Sequence, residues 1–218
     1  IRSPGGYVQA LATAFEGMGG TIRTAEVKDV TLTGDQVTSV ETTDGPIACD
    51  ELVLATGVWS KPLMQKLGLN VPLEAERGYH IVFKDATGGP SRPTMIASGK
   101  FVATPMEQGV RCAGIVEFGG LDAGPSKAPL ALLRRQAREA FPNLQASEEI
   151  EWLGHRPAPS DSLPLIGQIG TSRVYTAFGH HHIGLTGGPK TGRLIAGLIA
   201  GQGTNTDLAP YHPQRFAK

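Results

Sequence analysis

Several features that mark other protein classes are missing from this 218-residue sequence. It has only two cysteines, Cys49 and Cys112, and they lack CxxC spacing. This argues against a disulfide framework or a structural zinc site and favours a reducing compartment. No apolar run is long enough to span a bilayer or to serve as a signal peptide. The formal net charge is zero, without a long run of one sign, so nothing favours nucleic acid or an anionic membrane surface as a partner.

Nucleotide-binding turns are also missing in their usual form. The sequence has no GxGxxG, and the nearest approach, residues 17–20, ends a predicted helix instead of linking a strand to one. Residues 184–191 resemble a P-loop, except that Pro189 stands where the second glycine belongs. A proline removes a backbone donor and fixes φ, which a phosphate cradle does not accept easily. A nucleotide triphosphatase is therefore not favoured.

The apolar pattern predicts a mixed α+β and α/β fold with two domains. A helix is predicted over residues 7–17, with Val8, Leu11, Ala12 and Phe15 on one face at helical spacing. Strands are predicted at 21–27, at 30–33 and 37–42 around the hairpin pair Gly34-Asp35, at 51–57 and at 174–178. Between 69 and 159, strand-like runs at 75–83, 101–105, 110–118 and 150–154 predict an antiparallel sheet. One helix, 128–141, interrupts them, with Leu130, Leu133, Ala137 and Phe141 as its inward stripe. We predict a domain of residues 1–68 with 160–218, a second of 69–159, and a loose tail from about Gln202.

A glycine-rich segment with three histidines, residues 179–192, is the strongest candidate site. It follows the predicted buried strand and opens a predicted helix from Pro189 to Ile199, with Gly188 as the cap. The first turn of that helix holds no Asp or Glu, so its positive end is free for an anion. The alternative is an ordinary exposed helix start.

Other candidates surround this segment. On an extended chain His180 and His182 would share a face, but no carboxylate or cysteine lies at useful spacing, and we predict no metal site. Arg156, at a predicted strand end beside Pro157, can clamp a carboxylate or can be a plain surface charge. Thr56, Gly57 and Trp59 follow a buried strand, where α/β sheets gather ligands. A strand cap with a packing tryptophan is the alternative there.

Five segments in register resemble the FAD-dependent D-amino-acid oxidase/dehydrogenase superfamily, which includes glycine oxidase, sarcosine oxidase and D-amino-acid dehydrogenase. They are Gly20-Thr21-Ile22 with Val27, residues 52–60, Glu76-Arg77-Gly78-Tyr79, residues 154–167 with the Arg156-Pro157 step, and residues 179–193. The resemblance runs over nearly the whole chain. It implies a remnant of a Rossmann-like FAD-binding domain plus a substrate domain with a large antiparallel sheet.

The resemblance also implies roles for single residues. Val27 would lie against the adenine part of FAD, and Thr56, Gly57 and Trp59 would line the dinucleotide. The backbone at Ile183, Gly184, Leu185 and Thr186 would face the flavin pyrimidine edge. Arg156 would hold the substrate carboxylate, with His182 and Tyr79 as further substrate contacts. The cofactor would accept the hydride, so no protein nucleophile is required.

Relatives open with a phosphate-binding GxGxxG that this sequence does not contain. We therefore expect a C-terminal fragment of the enzyme that binds FAD weakly and is inactive alone. By resemblance, the parent would oxidise the C–N bond of an amino acid or amine and pass electrons to a quinone or oxygen. A cytoplasmic location is expected, with peripheral association at the inner face of the membrane as a variant. The alternatives are a 2-hydroxy-acid dehydrogenase and a non-catalytic binding module.

Overall fold

The computed structural model describes residues 1–217, and the chain divides into two compact units. The first unit comprises Ile1–Ile22 and Glu76–His155; the second comprises Arg23–Ala75 and Arg156–Lys218. The predicted division placed residues 1–68 together, whereas here the first 22 residues group with the central block. Within residues 1–217, no helix combines the length and apolarity needed to cross a bilayer.

The chain forms four α-helices and eleven strands over the described residues. The helices are α1 (Pro4–Gly17), α2 (Ser60–Lys66), α3 (Lys127–Ala140) and α4 (Gly184–Ile199). The strands are β1 (Val27–Thr33), β2 (Gln36–Thr42), β3 (Gly45–Ala48), β4 (Leu52–Leu54), β5 (Leu73–Lys84), β6 (Thr94–Ile96), β7 (Phe101–Met106), β8 (Gly109–Phe118), β9 (Glu148–Pro159), β10 (Leu165–Gln168) and β11 (Val174–Phe178). The mixed fold with a large antiparallel sheet is confirmed.

A five-stranded sheet in the order β6-β7-β8-β5-β9 dominates the first unit. The pairs β6–β7, β7–β8 and β8–β5 are antiparallel. Helix α3 packs its predicted stripe into this core: Leu130, Leu133 and Ala137 are buried in one cluster with Ile81 and Phe101. The i, i+3, i+7 spacing of the three helix residues explains why a single face is covered.

Helix α1 does not bury the face that its sequence predicts. Ser3 caps it and Pro4 occupies its first turn, which accounts for where it begins. None of its residues is buried, however, and Val8, Leu11 and Phe15 are each about half exposed. The predicted helix is therefore present, but its apolar face is not buried among the described residues. Periodicity reports which face is apolar, not whether a partner covers it.

The second unit contains two three-stranded sheets, β1-β2-β3 and β10-β11-β4. The β1–β2 hairpin turns at Gly34, whose φ of 60° suits glycine, as its sequence predicts. The predicted strand at 21–27 is wrong, because β1 begins only at Val27. Strand β4 pairs in parallel with β11, with Leu52 opposite Val174. Their shared core is made of residues that include Leu54, Met64, Leu165, Val174 and Phe178.

The C-terminal segment is anchored, and the predicted loose tail is wrong. Arg215 is held by Asp161, with Nε to Oδ2 at 2.7 Å and Nη2 to Oδ1 at 3.1 Å. The same guanidinium donates to the carbonyls of Leu163 and Pro164. Pro213 is buried. An arginine fork that satisfies this many acceptors fixes the tail to the loop before β10.

We expect Arg215→Ala to lower the free energy of unfolding by about 2 kcal/mol, since hydrogen bonds to charged groups are among the stronger ones. The bonds from Arg215 lower the pKa of Asp161 below its ordinary value of 3.8. A carboxylate with a depressed folded-state pKa contributes stability above pH 3.8, and that contribution is lost as the pH falls through the folded value.

Urea denaturation at neutral pH and at about pH 3 measures both effects, since the lower pH protonates the carboxylate in the unfolded chain. The variant should show the smaller loss of stability on acidification. Arg135→Ala is the matched control, because that side chain is 67% exposed in an i, i+4 pair and should change stability by less than about 0.5 kcal/mol. If Arg215→Ala and the unsubstituted protein lost equal free energy of unfolding on acidification, Arg215 would not be the group that lowers the pKa of Asp161.

Candidate functional site

The glycine-rich segment forms a tight turn between β11 and α4. Gly179 has a φ of 86° and His181 a φ of 51°, so the chain passes twice through the left-handed region. A Cβ on Gly179 would lie 2.8 Å from Cγ of Pro159, so both the conformation and the space favour glycine. The Ile183 N–H then donates to the His180 carbonyl at 3.0 Å, and α4 begins at the next residue.

Helix α4 begins at Gly184, before the position that its sequence predicts. Its cap is Ile183 and its first residue is Gly184, so the predicted start at Pro189 with Gly188 as cap is wrong. Pro189 instead lies inside the helix, where its missing N–H leaves the Leu185 carbonyl without its usual helical donor. The preference of proline for the first helical position was therefore a misleading local signal here.

The revised start places four predicted cofactor contacts at the helix N-terminus. Ile183 is the cap, and Gly184, Leu185 and Thr186 form the first turn. No side chain caps the helix, and the first turn holds no acidic residue. Ile183 and Leu185 are 50% and 42% exposed. The positive end of the helix is therefore directed at an accessible surface without a negative group of its own.

The second predicted cofactor segment follows the neighbouring strand. Strand β4 ends at Leu54, shorter than predicted, and a 3-10 turn from Gly57 to Trp59 leads into α2. Gly57 has a φ of 58°, and the hydroxyl of Thr56 lies 2.9 Å from that of the buried Ser60. Trp59 is 60% exposed.

Parallel pairing brings the two segments to one edge of a sheet. Thr176 of β11 lies opposite Leu54 of β4, so both strands end on the same side. Open α/β sheets bind ligands outside the carboxyl ends of their strands. Beside this edge runs an apolar groove of about 550 Å³, lined by residues that include Val53, Ala55, His180, Gly184, Gly188, Thr191 and Ile195.

The three histidines have different surroundings. Nε2 of His180 lies 2.8 Å from the hydroxyl of Thr191, and burial lowers the pKa of this half-buried imidazole. His181 donates its backbone N–H to the Pro157 carbonyl at 3.1 Å and Nε2 to the Pro159 carbonyl at 3.4 Å. His182 is exposed. The expectation of a shared face for His180 and His182 assumed an extended chain, whereas His181 is left-handed.

The bonds from His181 also bear on the predicted carboxylate clamp. Arg156 lies in β9, half-buried, and is followed directly by Pro157. Because His181 is bonded to Pro157 and Pro159, the segments that carry Arg156 and His182 are tied together. These two predicted substrate contacts therefore come from neighbouring backbone, a relation that sequence spacing cannot reveal.

Two further predicted contacts lie elsewhere. Val27 is the first residue of β1, is 39% exposed and pairs with Thr42 in the separate β1-β2-β3 sheet. Tyr79 is 1% exposed in β5. Its hydroxyl donates to Glu117 at 2.6 Å and accepts from Arg77 and from the Ser126 N–H, each at 3.1 Å. One hydrogen and two lone pairs are thereby used, so in this arrangement Tyr79 has no hydrogen-bonding capacity left for a substrate.

Arg77 is the residue of this network that sequence reasoning did not single out for burial. Its side chain is 2% exposed, with Nε 3.2 Å from Glu117 and donors directed at the Gly119 and Gly124 carbonyls. The hydrogen bond from Tyr79 lowers the pKa of Glu117. Together these contacts fix the loop between β8 and α3. No local sequence pattern indicates that this arginine is buried, because all but one of its partners lie about 40 or more positions away in the sequence.

Comparisons with known proteins give a consistent result. A family model described as FAD-dependent oxidoreductase matches residues 1–198. A D-amino-acid oxidase from Bradyrhizobium diazoefficiens is 40% identical over 99% of this chain and 52% of its own length. A glycine oxidase from Pseudomonas putida is 33% identical over 82% of this chain and 49% of its own length. The chain therefore spans about half the length of the curated relatives it matches.

Solved structures share the fold. A glycine oxidase from Geobacillus kaustophilus superposes with a TM-score of 0.81 at 24% identity, covering 95% of this chain and 56% of that protein. An L-proline dehydrogenase from P. horikoshii gives a TM-score of 0.81 at 23% identity, over 95% of this chain and 58% of that protein. At these identities the likeness concerns the fold alone.

Proposed function

Because the chain belongs to the family of FAD-dependent oxidoreductases, we propose that it supplies part of a site that oxidises the C–N bond of a small amino acid or amine. The observation that carries the proposal is the uncapped N-terminus of α4 at the edge where β4 and β11 end. Two similar proteins named D-amino-acid oxidase and glycine oxidase support this choice of substrate class.

The residues at this edge fit a flavin. Bound FAD would supply the hydride acceptor for the substrate Cα–H. The backbone of residues 183–186 would lie against the pyrimidine edge of the ring, where negative charge collects on reduction. The Ile183 and Thr186 N–H groups donate to the carbonyls of His180 and Ile183. Since the helix brings neither a side-chain cap nor an acidic residue of its own, its dipole and the N–H groups of Gly184 and Leu185 are left for that charge. Thr56, Gly57, Trp59 and, at the adenine end, Val27 are the proposed contacts to the rest of the cofactor.

Substrate binding is assigned to Arg156 and His182. A guanidinium offers paired donors that match a carboxylate, so Arg156 would fix the acid end of an amino acid. His182 is exposed, and the bonds of its neighbour His181 tie it to the segment after Arg156. These residues would then contribute to catalysis by orienting the substrate, so that its Cα–H faces the cofactor. Electrons would leave to oxygen or a quinone, the latter with peripheral membrane contact of the whole protein.

The first test concerns the cofactor. We expect the complete gene product to purify with visibly absorbing flavin, and the 218-residue chain alone to hold less than one equivalent. The reason is that the sequence contains no GxGxxG turn to bind the pyrophosphate. Absorbance spectra and FAD titration of both proteins measure this. Stoichiometric FAD on the 218-residue chain would contradict weak binding, and a flavin-free complete product would contradict the proposed function.

A substrate panel then decides the reaction. Anaerobic mixing with glycine, D-amino acids, secondary amines and 2-hydroxy acids should bleach the flavin only with members of the amine-bearing classes. Bleaching by 2-hydroxy acids alone would move the assignment to a hydroxy-acid dehydrogenase. Bound flavin that no compound reduces would favour a binding module.

A further inference from the structure

A side-chain bridge joins the end of β11 to the second turn of α4. Nε2 of His180 lies 2.8 Å from Oγ1 of Thr191, and that hydroxyl donates to the Gly187 carbonyl at 3.1 Å. Thr191 is buried and His180 is half-buried. The three groups form one chain of hydrogen bonds that crosses from the strand end to the helix.

With the Thr191 hydroxyl assigned as the donor to Gly187, the tautomer of the imidazole follows. A threonine hydroxyl has one hydrogen, and here it is given to Gly187. Oγ1 must therefore accept from His180, which requires a hydrogen on Nε2. Burial lowers the pKa of His180 below its ordinary value of 6.5 and keeps the ring neutral at pH 7. The other groove-lining residues on β4, β11 and α4 are apolar, glycine or threonine, so no charged group of that lining faces the ring.

The imidazole also fits against the first turn of α4. A Cβ added to Gly187 would lie 3.4 Å from the ring atom Cδ2 of His180, and one added to Gly184 would lie 3.4 Å from the Cβ of His180. The side chain is therefore within packing distance of that turn. A positive charge here would lie beside the positive end of the helix and oppose it. The site therefore suits a neutral donor that contacts the first turn and bonds to the second.

We propose that His180 is a positioning residue that holds the first turn of α4, so that the backbone N–H groups of Gly184 and Leu185 are directed at the reduced flavin. This inference rests on the proposed function, since the flavin gives the positioned N–H groups their role. The bridge restrains the helix start relative to the strand end, and removal of either side of it should loosen the turn.

The test uses the complete gene product with flavin bound. Thr191→Val and His180→Leu each remove one half of the bridge, whereas Thr191→Ser and His180→Gln keep a hydroxyl or an N–H donor. We expect the first two to weaken binding of reduced relative to oxidised flavin about tenfold, which lowers the two-electron potential by about 30 mV. Thr191→Ser and His180→Gln should keep a two-electron potential close to that of the unsubstituted protein. The double variant should add little to either single change, because both act on one bond.

A second measurement needs no flavin. Nitrogen-15 NMR of the 218-residue chain should show His180 as the Nε2–H tautomer, titrating below 6.5. An Nδ1–H tautomer or an ordinary titration would overturn the bridge as described. If the parent binds flavin but Thr191→Val leaves its potential unchanged, the positioning role is wrong while the proposed function stands. A complete gene product that purifies without flavin would contradict both the positioning role and the proposed function. If His180→Leu does not fold, the Thr191 variants decide.

Discussion

Replacing Arg77 with methionine should cost the first unit about 3–5 kcal/mol of unfolding free energy, the range seen when one partner of a buried ionic network is removed. The guanidinium is 2% exposed and donates to the carbonyls of Gly119 and Gly124 and to the Tyr79 hydroxyl. Methionine fills much of the volume but leaves the Gly119 and Gly124 carbonyls without their guanidinium donor. An unsatisfied buried polar group carries its full desolvation cost.

The loss should be largest in the loop that Arg77 holds, residues 119–126. Urea denaturation gives the stability change, and limited proteolysis reports the loop, which should become the first site of cleavage. Arg134→Met is the matched control, because that arginine pairs with Glu149 and Glu151 at a 32% exposed position and should cost about 1 kcal/mol or less. If the two variants lost equal stability, the buried network would not be the anchor that its contacts indicate.

Arg156→Ala should lower kcat/KM for the amino-acid substrate roughly 30- to 1,000-fold, while flavin stays bound. This corresponds to about 2–4 kcal/mol, as expected when one partner of a hydrogen-bonded charge pair is truncated. Arg156→Lys should recover only part of the loss, because an ammonium keeps the charge but cannot present two parallel donors. Steady-state kinetics with flavin absorbance recorded on the same sample separate the two effects.

The control for this experiment is Arg135→Ala, which removes an exposed arginine from α3 and should leave kcat/KM unchanged. Unchanged turnover in Arg156→Ala would remove this residue from the substrate site and leave the carboxylate without its proposed clamp. Loss of flavin together with activity would instead make Arg156 a structural residue of β9.

Local patterns predicted the elements whose signals are themselves local. The Gly34-Asp35 hairpin, strand β11 and the buried stripe of α3 each follow from turn chemistry or periodicity within a few residues. The start of α4 did not, since two local signals competed. The glycines suggested a loop and Pro189 a helix start, while tertiary packing supports helical structure before the proline.

Long-range partners account for the rest of the differences. Arg215 anchors the tail only because Asp161 and the carbonyls beside it lie within reach, and those residues are more than fifty positions away. Arg77 is buried for the same kind of reason. In the candidate site, a helix start without an acidic residue after the glycine-rich turn was predictable, but the contact of His181 with the segment after Arg156 was not. Spacing along a sequence carries no information on such pairings.

The parallel pairing of β4 with β11 has a consequence for the order in which the protein is made. Leu52 and Val174 lie side by side, yet residues 76–155 of the first unit are synthesised between them. The core around Leu54 therefore cannot close until the ribosome has released β11. The residues of the five-stranded sheet are all synthesised before β11. Non-local pairing of this kind slows folding, because the loop-closure entropy is lost before any contact compensates. Until then, β4 is an unpaired apolar strand, and a newly made chain is most prone to aggregation in that interval.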